Sequence, residues 1–176
     1  MVGLIFYPIP NPLSNITKAA FQSSQPSHTT LKFVPLPTPL ILPPPSQLIT
    51  RTVTQGNGMP CRRCLQDGQV GETMYLIPYN PFPADAKDSP YQGPGPIYVH
   101  ARECRKYEGS EVPEQQRKRL LSLRAYDGGH MMVDQAVLKG EELEVKVGRM
   151  LEGQEVEYVN VHNAGPGCFA VRIEKG

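Results

Sequence analysis

The stretch VEYVNVHNAGPGCFAVRIEK, Val156–Lys175, decides how this chain folds. Two runs rich in β-branched and aromatic residues flank Asn163-Ala164-Gly165-Pro166-Gly167, a cluster of residues that favour tight turns. In the first run Val159 and Val161 alternate with Tyr158, Asn160 and His162. In the second, Phe169, Val171 and Ile173 alternate with Cys168, Ala170, Arg172 and Glu174. A period of two places alternate side chains on opposite faces of a strand, so each run has one apolar face. The stretch predicts an antiparallel hairpin in a sheet covered on one side.

The segment just before it supplies a cover. In EELEVKVGRML, Glu141–Leu151, the residues Leu143, Val147, Met150 and Leu151 follow the i, i+4, i+7, i+8 spacing of one helix face. Glu141 and Glu142 at its start and Arg149 near its end suit the helix dipole. Further upstream, LSLRAYD and HMMVDQAVL predict two strands joined at Asp127-Gly128-Gly129. PEQQRKRLL predicts a second short helix, with Pro113 in its first turn. ETMYLIPY (Glu72–Tyr79) and IYVH (Ile97–His100) predict two more strands, separated by the Pro- and Gly-rich loop Asn80–Pro96. The expected fold is α+β: an antiparallel sheet with two short helices on one face and a long Pro-rich loop.

Composition divides the chain. Of its 19 prolines, 11 fall within the first 60 residues, and that segment carries Lys18, Lys32 and Arg51 but no acid. All 17 acidic residues lie from Asp67 onward. Residues 1–30 are expected to be a disordered Pro- and Ser-rich extension. Leu31–Pro35 is expected to be an edge strand running into extended chain. A net charge of +1 predicts no broad attraction to nucleic acid, and no apolar run reaches the ~20 residues of a membrane span. The absence of a basic, apolar leader predicts a cytoplasmic protein with reduced thiols. Partners and oligomeric state leave no signature.

The chemistry concentrates in four cysteines. Cys61 and Cys64 in PCRRCL stand three apart, a spacing that lets both sulfurs point at one centre. YVHARECRK adds His100 and Cys104. If Ala101–Lys106 is helical, those two lie one turn apart on one face. Together Cys61, Cys64, His100 and Cys104 make a Cys3His set, which suits a structural zinc. The order of knuckle, hairpin and second ligand pair is treble-clef-like. The gap of 35 residues between Cys64 and His100 requires the Pro-rich loop to be an insertion at the hairpin tip. Arg62, Arg63, Arg102 and Arg105 would offset a thiolate-rich centre. Metal-free buried thiols and a redox pair are the alternatives, although the turn Gln66-Asp67-Gly68 does not start the helix that a redox CxxC needs.

Two other groupings stand out. His162 and Cys168 flank the turn of the opening hairpin and form an alternative catalytic pair. Asp127, His130 and Asp134 offer an acid–base or hard-metal set, against which stands an ordinary hairpin turn.

The phrases FVPLPT, PCRRCL, SPYQGPGPIYVH, LLSLRAYD, MMVD, EELE and VHNAGPGCFAVRIE resemble the family catalogued as domain of unknown function 1203, over about residues 31–176. The resemblance implies a single domain from residue 31 onward. It brings no catalytic residues to carry across. The expectation is a small zinc-stabilised module with a binding or scaffolding role. The alternative is a thiol- or metal-dependent enzyme using Cys168 and His162.

Overall fold

The computed structural model describes residues 30–37, 39–56 and 58–176. The expected disordered extension therefore lies, apart from Thr30, outside the described residues. Ten elements follow in order: β1 (Leu31–Val34), β2 (Ile49–Thr52), β3 (Thr73–Tyr79), β4 (Gly95–His100), α1 (Glu114–Arg117), β5 (Leu120–Tyr126), β6 (Met132–Lys139), α2 (Leu143–Glu152), β7 (Tyr158–Asn163) and β8 (Phe169–Lys175). Short 3-10 turns occur at Pro45–Gln47, Ala86–Asp88 and Gly140–Glu142.

The architecture is α+β with antiparallel strands, divided between two sheets. One has five strands in the order β1-β8-β7-β5-β6, the other three in the order β2-β3-β4. The opening hairpin forms its centre, with β7 and β8 paired antiparallel. Leu31–Val34 is an edge strand, laid along β8 with Phe33 opposite Ile173. The 80–94 loop is an insertion at the tip of the β3–β4 hairpin, since Tyr79 pairs with Gly95. β2 has no counterpart in the sequence reading, because ITRT is too short to show a period.

The inner face of the five-stranded sheet packs on α2. Leu143, Val147 and Leu151 are fully buried there, and Met150 nearly so, against Leu121, Leu123, Val159, Val161, Val171 and Ile173. Burial of four such side chains contributes about 6–12 kcal/mol before conformational entropy is subtracted. The second helix is shorter than PEQQRKRLL suggests. α1 is one turn, because Leu120 already pairs with Lys139 in β5–β6.

One residue of β8 departs from simple alternation. Val161 pairs with Val171, but His162 pairs with Phe169, so Ala170 is the extra residue of a bulge. Ala170 then joins Val171 in the α2-facing core, and Phe169 turns to the opposite face. There it meets Tyr79 at 5.5 Å between ring centroids and joins a second core of Val53, Met74, Ile77, Ile97 and Val99. The bulge thus couples the two sheets.

Arg62 crosses the same seam. It is 1% exposed, donates from Nε to the Phe169 carbonyl at 2.7 Å, from Nη1 to the Pro60 carbonyl, and from Nη2 to the Cys168 sulfur at 3.0 Å. Burial pulls its guanidinium below the usual value. Among the described residues no helix is long and apolar enough to cross a membrane.

Candidate metal centre

Met59–Gly68 folds back on itself. Gly68 N donates to the Met59 carbonyl at 3.0 Å and Cys61 N to the Gln66 carbonyl at 2.9 Å. The reversal between them requires a left-handed residue, and Leu65 takes it, with φ of +54°. A leucine there is strained by about 1 kcal/mol or more. Its side chain, 1% exposed in the α2-facing core, holds it in place. In this turn the N–H groups of Cys64 and Arg63 point at the Cys61 sulfur, and that of Gln66 at the Cys64 sulfur. Donors aimed at sulfur favour its anionic form.

The knuckle is docked on β4. Cys61 forms a parallel bridge with Tyr98, and Arg62 N donates to the Tyr98 carbonyl at 3.1 Å. The N–H of His100, last residue of β4, also points at the Cys61 sulfur. The chain then leaves β4 and returns, with Tyr107 N donating to the Arg63 carbonyl at 2.9 Å. Both ends of this loop are therefore pinned to the knuckle, and Cys104 is delivered between them. No helix forms over Ala101–Tyr107, which corrects the expected helical turn. Ala101 N donates to the Thr73 carbonyl at 3.0 Å and Tyr107 N to the Arg63 carbonyl, and these bonds compete with helical ones.

The result is a cluster. The sulfurs of Cys61, Cys64 and Cys104 all lie within 4.8 Å of one another. Cys61 and Cys104 stand 3.8 Å apart. Zinc–sulfur bonds near 2.3 Å at tetrahedral angles place neighbouring sulfurs about 3.8 Å apart, so the three donors suit a zinc ion in type and spacing and fall one short of its usual four. Electrostatics agree. The Cys61 thiol is pulled down to about 5, chiefly by its hydrogen bond with Cys64 and, against burial, by the backbone donors. Cys64 is pushed up by that same hydrogen bond and by burial, and Cys104 by burial and the charge on Cys61. One sulfur ionises readily while the other two are held protonated, a conflict that a cation among them would lift.

His100 is buried beside the cluster, but its ring nitrogens are not among the converging atoms. Its Nδ1 lies 3.6 Å from Glu72 Oε2. It lines, with Cys64 and Cys104, an open cavity of about 510 Å3. Glu72 escapes sequence reading, because only the β3–β4 register, with Met74 opposite His100, brings it near. Its carboxyl is held below the usual range by the Gln69 N–H and by Arg102, whose Nη2 donates to it at 2.7 Å. Of the four arginines expected around the centre, Arg62 turns to β8. Arg102 pairs with Glu72, Arg105 pairs with Glu108 at 2.9 Å, and Arg63 lies 3.9 Å from Glu103.

The other groupings resolve differently. His162 and Cys168 are neighbours across the turn, but no hydrogen bond joins them. His162 Nδ1 faces the Gly167 carbonyl at 3.0 Å, while the Cys168 sulfur accepts from Arg62 and, at 3.4 Å, from Asn163 Nδ2. Asp127, His130 and Asp134 do not converge. Asp127 caps its turn by accepting from Gly129 and Met131 N–H groups, and Asp134 pairs with Lys146.

A family model described as protein of unknown function, DUF1203, matches residues 58–175. The matched span takes in the knuckle, Cys104 and the central hairpin, and leaves the FVPLPT segment outside it. No curated protein and no solved structure gives a significant match.

Proposed function

The chain belongs to the DUF1203 family, and from its cysteine centre we propose that it is a zinc-stabilised binding or scaffolding module. Cys61, Cys64 and Cys104 hold the ion, and His100 completes the set. The observation that carries this reading is the convergence of three sulfurs from two distant segments within 4.8 Å. Supporting it, the buried Nδ1 of His100 makes no hydrogen bond, and the Glu72 carboxylate stands 3.6 Å from it. Closing the shell requires the imidazole to swing toward the sulfurs. Four protein donors leave no position for a substrate, so the ion is structural. It ties the knuckle, β4 and the loop after it into one unit.

Elemental analysis of the purified chain tests this. About one zinc per chain is expected, with Cys61→Ser and His100→Ala each lowering it and Cys168→Ser leaving it unchanged. Well-folded protein that carries no metal and takes up none from added zinc overturns the reading.

A further inference from the structure

A second cavity, of about 420 Å3, involves none of the cysteine-centre residues. It opens where the 80–94 loop and the tip of the β5–β6 hairpin meet β7 and β8. Its size lies at the lower end for small-molecule sites.

Arg172 is its most informative wall. The guanidinium lies 3.9 Å over the Tyr158 ring, donates from Nε to Asn160 Oδ1 at 3.3 Å, and from Nη2 to the Pro81 carbonyl at 2.6 Å. Both acceptors are neutral, and no ion pair joins Arg172 to a carboxylate among the described residues. A half-buried cation is thus fixed in one pose without a counter-charge, and Nη1 is left without an acceptor. Lys175 also lines the cavity.

Carboxylates line it too. Glu157 has no ion-pair partner among the described residues, and Asp85 faces only His130 Nε2, at 3.7 Å. On the other side of that ring, the Tyr158 hydroxyl lies within hydrogen-bond distance of His130 Nδ1, at 3.0 Å. Burial pushes Tyr158 up to about 12, which keeps the hydroxyl protonated. Glu174 is satisfied by Lys32 at 3.1 Å. The cavity therefore presents unmatched charge of both signs. A plain anion would meet Asp85 and Glu157, and a plain amine would leave Arg172 unmatched.

We propose that this cavity binds a free amino acid, its carboxylate on Arg172 and Lys175 and its ammonium group on Glu157 and Asp85.

Calorimetry on the full chain, as purified, tests this with the free L-amino acids, acetate and ethylamine at equal concentration. At least one amino acid is expected to bind, with acetate and ethylamine silent. Glu157→Gln and Lys175→Gln alter exposed side chains that carry no protein ion pair, so the fold is retained, and each is expected to weaken binding about tenfold. Arg172→Gln is expected to abolish it; because Arg172 also anchors Pro81, the two milder variants decide. Binding by no amino acid, equal binding of acetate, or unchanged affinity in both milder variants overturns the proposal.

Discussion

The sulfur of Cys61 lies 3.8 Å from that of Cys104, although the two are 43 positions apart in the chain. Neither residue owes this to local geometry. Cys61 is placed by a bridge to Tyr98, and Cys104 by a loop whose return is fixed through Tyr107 N and the Arg63 carbonyl. An ion held between them would therefore stabilise long-range structure, because the unfolded chain offers no such set of donors.

Chelation is accordingly expected to destabilise the zinc-loaded chain by more than about 3 kcal/mol. That corresponds to a fall in Tm of roughly 6–12 °C for a domain of this size. The Cys104→Ser variant should melt lower from the outset and respond little to chelator. Thermal denaturation with and without chelator reads both effects.

Leu65→Gly sets two terms against each other. Glycine relieves the strain of φ at +54°, a gain of about 1–2 kcal/mol. Loss of a leucine that is 1% exposed costs about 3–5 kcal/mol. Burial wins, so a net loss of about 2 kcal/mol is expected in urea denaturation. Were the variant more stable than the parent, strain would dominate the knuckle instead.

Gly140→Ala tests close approach. A Cβ there would stand 1.8 Å from the Gln116 carbonyl oxygen, and Gly140 N already donates to the Arg119 carbonyl at 2.8 Å. Backbone atoms must move apart, at a cost of more than about 2 kcal/mol. Gly128→Ala at the hairpin tip, where nothing lies within 4 Å, serves as the control. The same denaturation measurement is expected to separate the two clearly.

His162 gives the fold a pH dependence. Burial first, and Arg124 second, hold its imidazole down to about 4 against an ordinary value of 6.5. The folded state keeps it neutral, so the unfolded chain binds the extra proton. Its stabilising contribution is complete above about pH 6.5 and declines as pH falls toward 4, by about 3 kcal/mol in all. Folding free energy measured from pH 7 to 4 should show this slope, and His162→Gln should flatten it.

Much of the local structure was legible in the residues. Alternation in Val156–Lys175 and the turn at Asn163–Gly167 specified the central hairpin, and one helical stripe specified the buried face of α2. Cys61 and Cys64, three apart, specified a turn with two sulfurs on one side. These are short-range patterns, set by backbone periods of 2 and 3.6 residues. Other features had no such signal. Division of the strands between two sheets, the bulge that turns Phe169 to the second core, and the placing of Glu72 beside His100 follow from pairings between distant segments. The helix expected between His100 and Cys104 failed for the same reason, since backbone bonds to Thr73 and Arg63 compete with helical ones. By itself the sequence determined which residues offer sulfur and imidazole donors. Which of them meet was decided only by tertiary structure, because long-range register, unlike local period, leaves no repeat to read.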